Sequence, residues 1–224
     1  MKRGVIITLI ILVTAGATGC RKTVTDIDGN QYRTVKIGGE IWMAENLRTT
    51  RYNDGEPIPN ITSAGEWVSL TEGAYCWYDN DKEQWSGYGA LYNWYAVETG
   101  KLCPDGWRVP SAEEWSGLIE SMGGIYEAGA QMKSRSTEPD PHPRWDIPNE
   151  GAADRFRFEA LPGGWRVLTG GFHSVGNGAF WWSSTETDSA EARYVAAGSA
   201  GERVMHTREM KIYGMSIRCI KEGR

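Results

Sequence analysis

Four cysteines, three histidines and a set of aromatic and basic side chains near the C-terminus are the residues of this 224-residue chain best suited to chemistry. The cysteines are Cys20, Cys76, Cys103 and Cys219, and no two of them form a C-x-x-C pair. With only His142, His173 and His206 beside them, no structural zinc site is expected, since that needs four closely spaced nitrogen or sulfur donors. No G-x-S-x-G elbow marks a hydrolase nucleophile. Glu113 and Glu114 are adjacent carboxylates. Glu114 fits a capping box opened by Ser111, and Glu113 suits the positive end of the same helix, so general acid–base work is not their expected role. Trp107-Arg108-Val109-Pro110 reads as packing beneath a helix entry, with Pro110 setting the approach. Neither catalytic residues nor a cofactor or metal is expected.

The strongest candidate is instead a binding face in the last third. Trp181, Trp182, Arg193, Tyr194, Arg203, Met205, His206, Arg208 and Tyr213 stand there among small Gly, Ala and Ser residues. Rigid aromatics and arginines in such a setting have the composition of a recognition surface. The competing reading makes Trp181 and Trp182 core residues and the polar ones an ordinary wetted sheet.

Composition restricts the partners. With 24 Lys and Arg against 29 Asp and Glu the net charge is −5. That argues against nucleic acid, which asks for a basic surface. Gly (28) and Trp (11) are abundant, which points to a turn-dense fold held by aromatic packing. Lys2 and Arg3 precede the apolar run Val5–Val13, too short to span a bilayer and proportioned like a secretory signal. Ala17-Thr18-Gly19-Cys20 resembles a lipobox, in which cleavage precedes the Cys and the Cys is acylated. Residues 1–19 are then a signal peptide, and 20–31 a lipidated Cys20 with its tether. The mature chain carries 22 basic and 29 acidic residues, −7, and three cysteines, of which one must lack an intrachain partner. Multiple acyl chains would hold it stably at a membrane.

The rest of the chain reads as one unit. Thr34–Ile37 and Glu40–Met43 alternate around Gly38-Gly39, a hairpin pattern. Residues 49–74 read as loop and Tyr75–Tyr78 as a short strand. A helix is expected over Gly89–Glu98. A second follows Ser111, with Trp115, Leu118, Ile119 and Met122 as its apolar stripe and Gly123-Gly124 as its stop. Residues 130–152 are Pro-rich loop. Short strands are expected at 156–158, 165–168, 180–183, 192–195, 203–206 and 215–220, the last with Met215, Ile217 and Cys219 on one face and Ser216 and Arg218 on the other. Strands with two helices make an α+β domain.

Ordered blocks then match a known family. They are Asp28-Gly29-Asn30-Gln31-Tyr32, Gly39-Glu40-Ile41-Trp42-Met43-Ala44-Glu45-Asn46-Leu47, Tyr88-Gly89-Ala90-Leu91-Tyr92-Asn93-Trp94, Cys103-Pro104-Asp105-Gly106-Trp107-Arg108-Val109-Pro110-Ser111, Trp182-Ser183-Ser184-Thr185 and Ser216-Ile217-Arg218-Cys219-Ile220-Lys221. In this order the chain, over about 24–222, resembles the Fibrobacter succinogenes major paralogous domain, common in secreted lipoproteins of Bacteroidetes-type bacteria. The resemblance implies a C-type lectin-like fold over 32–222, in the branch of formylglycine-generating enzymes and retroelement variable proteins. Its termini would meet in one sheet, with two flanking helices and a long loop-rich insertion. If the terminal strands pack beside the second helix, Cys103 and Cys219 can bridge; Cys76 with Cys103, or no bridge, remain alternatives.

The family's relatives suggest chemistries that the residues do not carry over. Copper-binding formylglycine-generating enzymes use a cysteine pair near the C-terminus, where only Cys219 stands. Glu138-Pro139-Asp140 resembles part of a calcium-lectin motif, but Trp77-Tyr78-Asp79-Asn80-Asp81 precedes it, in the wrong order, and six to eight oxygen ligands cannot be gathered. The expected role is therefore non-enzymatic. It is recognition of an extracellular or periplasmic protein or glycan by an outer-membrane lipoprotein, at the cell surface or the periplasmic face. A structural or adhesin subunit of a surface assembly is the first alternative, and an enzyme of the formylglycine-generating branch the second.

Overall fold

The computed structural model describes residues 22–223, so the expected signal peptide and the expected lipidation of Cys20 lie outside the described residues. The N-terminal half contains β1 (Thr23–Thr25), β2 (Gln31–Ile37), β3 (Glu40–Met43), α1 (Ala64–Trp67), β4 (Tyr75–Cys76), α2 (Lys82–Trp85), β5 (Leu91–Tyr92), α3 (Trp94–Glu98) and β6 (Trp107–Arg108). Then follow α4 (Ala112–Ser121), α5 (Ala128–Met132), β7 (Gly163–Arg166), β8 (Phe172–Val175), β9 (Gly178–Glu186), β10 (Glu191–Gly198), β11 (Val204–Met210) and β12 (Ile220–Lys221). The protein is mixed α+β, mostly antiparallel sheet with few helices.

The β2–β3 hairpin forms as its residues dictate. Gly38 and Gly39 have φ of +61° and +94°, the left-handed pair that a primed two-residue turn demands. Thr34 then lies opposite Met43, and Ile37 opposite Glu40. The five-stranded sheet runs β1-β2-β3-β12-β6, so the last strand inserts between β3 and β6. Residues 23–25 are not free tether: Thr23 pairs with Arg33 and Thr25 with Gln31. Asp26 closes the following turn, accepting from Asp28 N (3.0 Å), Asn30 N (2.9 Å) and the Tyr32 hydroxyl (2.5 Å).

The helix after Ser111 starts where its cap predicts. Ser111 Oγ accepts from Glu114 N (3.2 Å), and Glu114 Oε2 accepts from Ser111 N (2.8 Å). The stripe Trp115, Leu118, Ile119 and Met122 is buried. The earlier helix is shorter than the expected 89–98. Leu91-Tyr92 pairs instead with Tyr75-Cys76, and Asn93 Oδ1 caps α3 by accepting from Ala96 N (3.1 Å). Helix α5 begins just before the stretch read as loop. It has no apolar period because it is built of small residues: a β-carbon on Gly129 would lie 2.3 Å from the Glu202 carbonyl. Residues 156–158 are not a strand. Asp154, Arg157 and Glu159 have φ of +44°, +56° and +52°, a conformation costing a side-chain-bearing residue about 1–2 kcal/mol. Phe158 is buried between them.

Sheet β11-β10-β9 divides two cores. Trp181, Val195 and Ala197 face one with Trp42, Trp115 and Phe158; Trp182, Tyr194 and Ala196 face the other with Trp94 and Tyr92. The 215–220 segment threads between sheets rather than forming one long strand. Its carbonyls serve Trp182 N (from Ser216), Leu47 N (from Ile217) and Met43 N (from Cys219) in turn. All of it is buried, so the two-faced alternation does not hold. Cys103 and Cys219 are disulfide-bonded across 116 residues, and Cys76 is a buried free thiol. On the chain-entropy account that closure stabilises the fold by about 4–5 kcal/mol.

Irregular backbone leaves buried carbonyls that no ladder serves, and each must find a donor. Three buried cations supply them. Lys133 Nζ donates to the carbonyls of Glu150 (2.7 Å), Gly201 (2.9 Å) and Gly198 (3.2 Å). Arg166 donates to those of Ile61 (2.6 Å), Gly170 (2.9 Å) and Thr62 (3.0 Å), with its guanidinium 4.5 Å from the Trp67 ring centre. Arg218 donates to Asn46 Oδ1 (2.8 Å), to the Glu159 carbonyl (2.8 Å) and to that of Phe158, and stacks on the Phe158 ring. None has a carboxylate partner among the described residues.

Candidate functional site

The nine side chains proposed as one binding face are distributed over the interior and two opposite surfaces. Trp181 and Trp182 are fully buried, one in each core, because neighbouring residues of a strand point to opposite faces and here both faces are covered. Their indole N–H groups donate inward, to Asn46 Oδ1 (2.9 Å) and to the Tyr92 carbonyl (3.0 Å). They are core residues and not contacts for a ligand.

Tyr194 and Tyr213 are also largely covered. They join Trp165 and Phe180 in an aromatic array on one face of the sheet, where Trp165 lies flat on Phe180 at 4.2 Å. Met205, opposite Ala196 in the register, projects to this same side and is 49% exposed. Arg203 precedes β11 and stacks 5.7 Å from the Tyr126 ring centre.

Arg193, His206 and Arg208 occupy the other face. Arg193 lies opposite Arg208, and His206 opposite Val195. The two arginines would repel, but Arg208 is held by Glu191 at 3.0 Å, while Arg193 has no ion pair among the described residues. This face meets the first turns of α4 in a cleft of about 440 Å³, lined by Glu113, Ser116, Thr185, Thr187, Arg193 and His206. Thr185 Oγ1 accepts from Ala112 N (2.9 Å), which fixes β9 against the helix start.

The protonation of the cleft follows from its hydrogen bonds. Ser116 Oγ donates to the Ala112 carbonyl (3.0 Å), so His206 Nδ1, 3.3 Å away, is the donor to Ser116 Oγ. Burial, reinforced by Arg193, lowers the His206 pKa against the opposing pull of Glu113, which keeps the ring neutral at pH 7. A hydroxyl whose proton is on a carbonyl, beside a neutral imidazole that donates to it, is a hydrogen-bonding surface and not an activated nucleophile.

The other reactive candidates are accounted for structurally. Burial pushes the Cys76 thiol up to about 12, so it is not a thiolate at neutral pH. His142 Nδ1 is 2.7 Å from the Tyr88 hydroxyl. Glu138 pairs with Arg144 (3.0 Å), and Asp140 caps its own turn, accepting from Ser136 Oγ (3.2 Å). Among the described residues no three His, Cys, Asp or Glu converge as metal ligands. Glu113 was recognised only for the helix end. Ser116 and Thr187 are isolated hydroxyls with no spacing signal, and Thr185 stands in the Trp182–Thr185 block without a site role.

The model of the Fibrobacter succinogenes major domain matches residues 35–221. The chain belongs to this family. The match runs from β2 to β12 and so takes in the disulfide and both walls of the cleft. Comparison with curated proteins and with solved structures returned no match.

Proposed function

We propose that this family member is a lipid-anchored, extracytoplasmic recognition protein with a C-type lectin-like fold, and that it binds a glycan, without chemistry, in the cleft between α4 and the β10–β11 face. The observation that carries the reading is the placement of Arg193 and His206 on one sheet face, across from Ser116, Glu113 and Thr185. The Arg193 guanidinium and the Glu113 carboxylate, neither in an ion pair among the described residues, face one open cleft beside the Ser116–His206 hydrogen bond, a donor and an acceptor that suit hydroxyl-bearing ligands. The fold assignment draws on the sheet shared by β1 and β12 and on the helices flanking the strands. The anchor draws on the Val5–Val13 run and Cys20. A binding rather than catalytic role is supported by the disulfide-bonded Cys103 and Cys219 and by the inert Cys76.

A glycan array probed with the full-length chain, with and without calcium, tests the ligand class. Hits weakened at least tenfold by Arg193→Ala or His206→Ala support the reading. A blank array, or hits indifferent to both substitutions, overturns it, and capture of a protein by the same face would move the assignment to assembly. Membrane fractionation of Cys20→Ser tests the anchor separately: release into the soluble fraction is expected.

A further inference from the structure

A second cleft lies elsewhere on the molecule, where the loop after α5 faces residues 153–159. It encloses about 660 Å³ and is lined by Arg135, Arg155, Arg157, Asp154, Glu159 and Ser136, with Ala153 the only apolar contributor. An adjoining groove of about 270 Å³ shares Arg157 and Glu159 and continues past Arg33 to Thr34 and Lys36.

The three arginines are exposed, and none makes an ion pair among the described residues. Arg135 is oriented by its Nε, which donates to the Ala153 carbonyl at 2.8 Å and leaves the rest of the fork free. The carboxylates within reach are already engaged. Glu159 is held by both terminal nitrogens of Arg33, and Asp154 Oδ1 accepts from Glu159 N at 2.9 Å. The loop presenting Arg155 and Arg157 adopts left-handed backbone at Asp154, Arg157 and Glu159. Buried Arg218 holds it there through the Phe158 and Glu159 carbonyls. A strained conformation imposed by its surroundings on an exposed basic loop is the pattern of a presented site.

We infer that this basic groove binds an acidic glycan, a chain bearing carboxylate or sulfate groups, with Arg135, Arg155 and Arg157 as the anion contacts. Planar guanidinium forks match carboxylate and sulfate oxygens in pairs. The hydroxyls of Ser136 and Thr34, whose own protons go to Asp140 and to the Lys22 carbonyl, add acceptors for sugar hydroxyls. A peptide or protein ligand is disfavoured because its interface would need an apolar centre: the cleft offers only Ala153, and the adjoining groove adds no more than Val35 and Ala44. A nucleic acid is disfavoured because the cleft has no aromatic platform and the chain is net negative. The inference does not rest on the cleft beside α4, and each site can fail alone.

The test measures binding of the full-length chain to polygalacturonate, alginate and heparin at low salt, with polyglutamate, single-stranded DNA and inorganic sulfate alongside. Binding to at least one acidic glycan is expected, weakened at least tenfold in the double variant Arg155→Gln/Arg157→Asn and unchanged in Arg193→Ala. Asn tolerates the left-handed backbone at 157. Should that variant fail to fold, Arg155→Gln and Arg135→Gln, both at exposed positions, carry the comparison, each expected to lower the salt dependence by about one charge. No binding to any acidic glycan, equal binding by the variants, or equal affinity for polyglutamate or DNA would overturn the proposal. Inhibition by millimolar sulfate together with loss in the variants locates the anion contact.

Discussion

Lys133 and Arg135 stand two residues apart, yet one sits in a cage of backbone carbonyls and the other faces an open cleft. The same contrast separates Arg218, enclosed beneath the 153–159 loop, from Arg155 and Arg157, presented on top of it. Inside, a cation is tolerated because it satisfies several carbonyls that irregular backbone would otherwise leave bare. Outside, a cation costs little and is available to a ligand. The buried set builds the loops and the exposed set uses them. A chain with this much non-repetitive backbone therefore depends on charged residues in its interior for reasons unrelated to binding.

Four outcomes would break or sharpen this contrast. The largest belongs to the crosslink beside Arg218: replacing Cys103 and Cys219 by Ser should cost about 4–5 kcal/mol in urea unfolding. Next, Arg218→Met and Lys133→Met keep much of the aliphatic volume but strand carbonyls, and each should lose about 3–5 kcal/mol. Near-wild-type stability of either would show that the cages are ornamental. Third, burial raises Asp154 to about 6 from its ordinary 3.8, against the lowering hydrogen bond from the Glu159 backbone N–H; the Glu159 carboxylate adds to the rise and Arg218 opposes it. The folded state thus holds a proton that the unfolded chain has lost, so this group's contribution is full below about pH 4 and disappears as pH climbs through about 6. Asp154→Asn should remove that slope, seen as a smaller change in Tm between pH 4 and 7 than in the parent. Smallest, Arg135→Ala and Arg155→Ala should leave stability within about 0.5 kcal/mol, in deliberate contrast to Arg218. A larger loss would place these residues with the scaffold.

Much of the scaffold is legible locally. The Gly38-Gly39 turn, the Ser111 cap with its stripe and the α+β class follow from signals a few residues long, whereas the helix expected over 89–98 overruns the Asn93 cap at which α3 begins. The binding face was only partly legible. Arg193, His206 and Arg208 do share a surface, because a two-residue period and the β10–β11 register place them there. Trp181 and Trp182 misled, because composition cannot tell a sheet with one wet face from a sheet covered on both. The 153–159 loop misled similarly. Arg-Phe-Arg-Phe alternates as an exposed strand would, while the observed left-handed residues are imposed by distant Arg218 and Arg33.

By itself the chain's order of residues determined the turns, the caps, the apolar stripe of α4 and the family, since each depends on neighbours within a few positions or on ordered blocks. Only the folded protein decided which cations are caged and which are free, which of three cysteines are joined, and how nine candidate residues divide between two surfaces and a core. Burial and partnership depend on segments 60 to 172 residues apart, such as Arg218 with Phe158 or with Asn46, and no local pattern encodes a contact of that range.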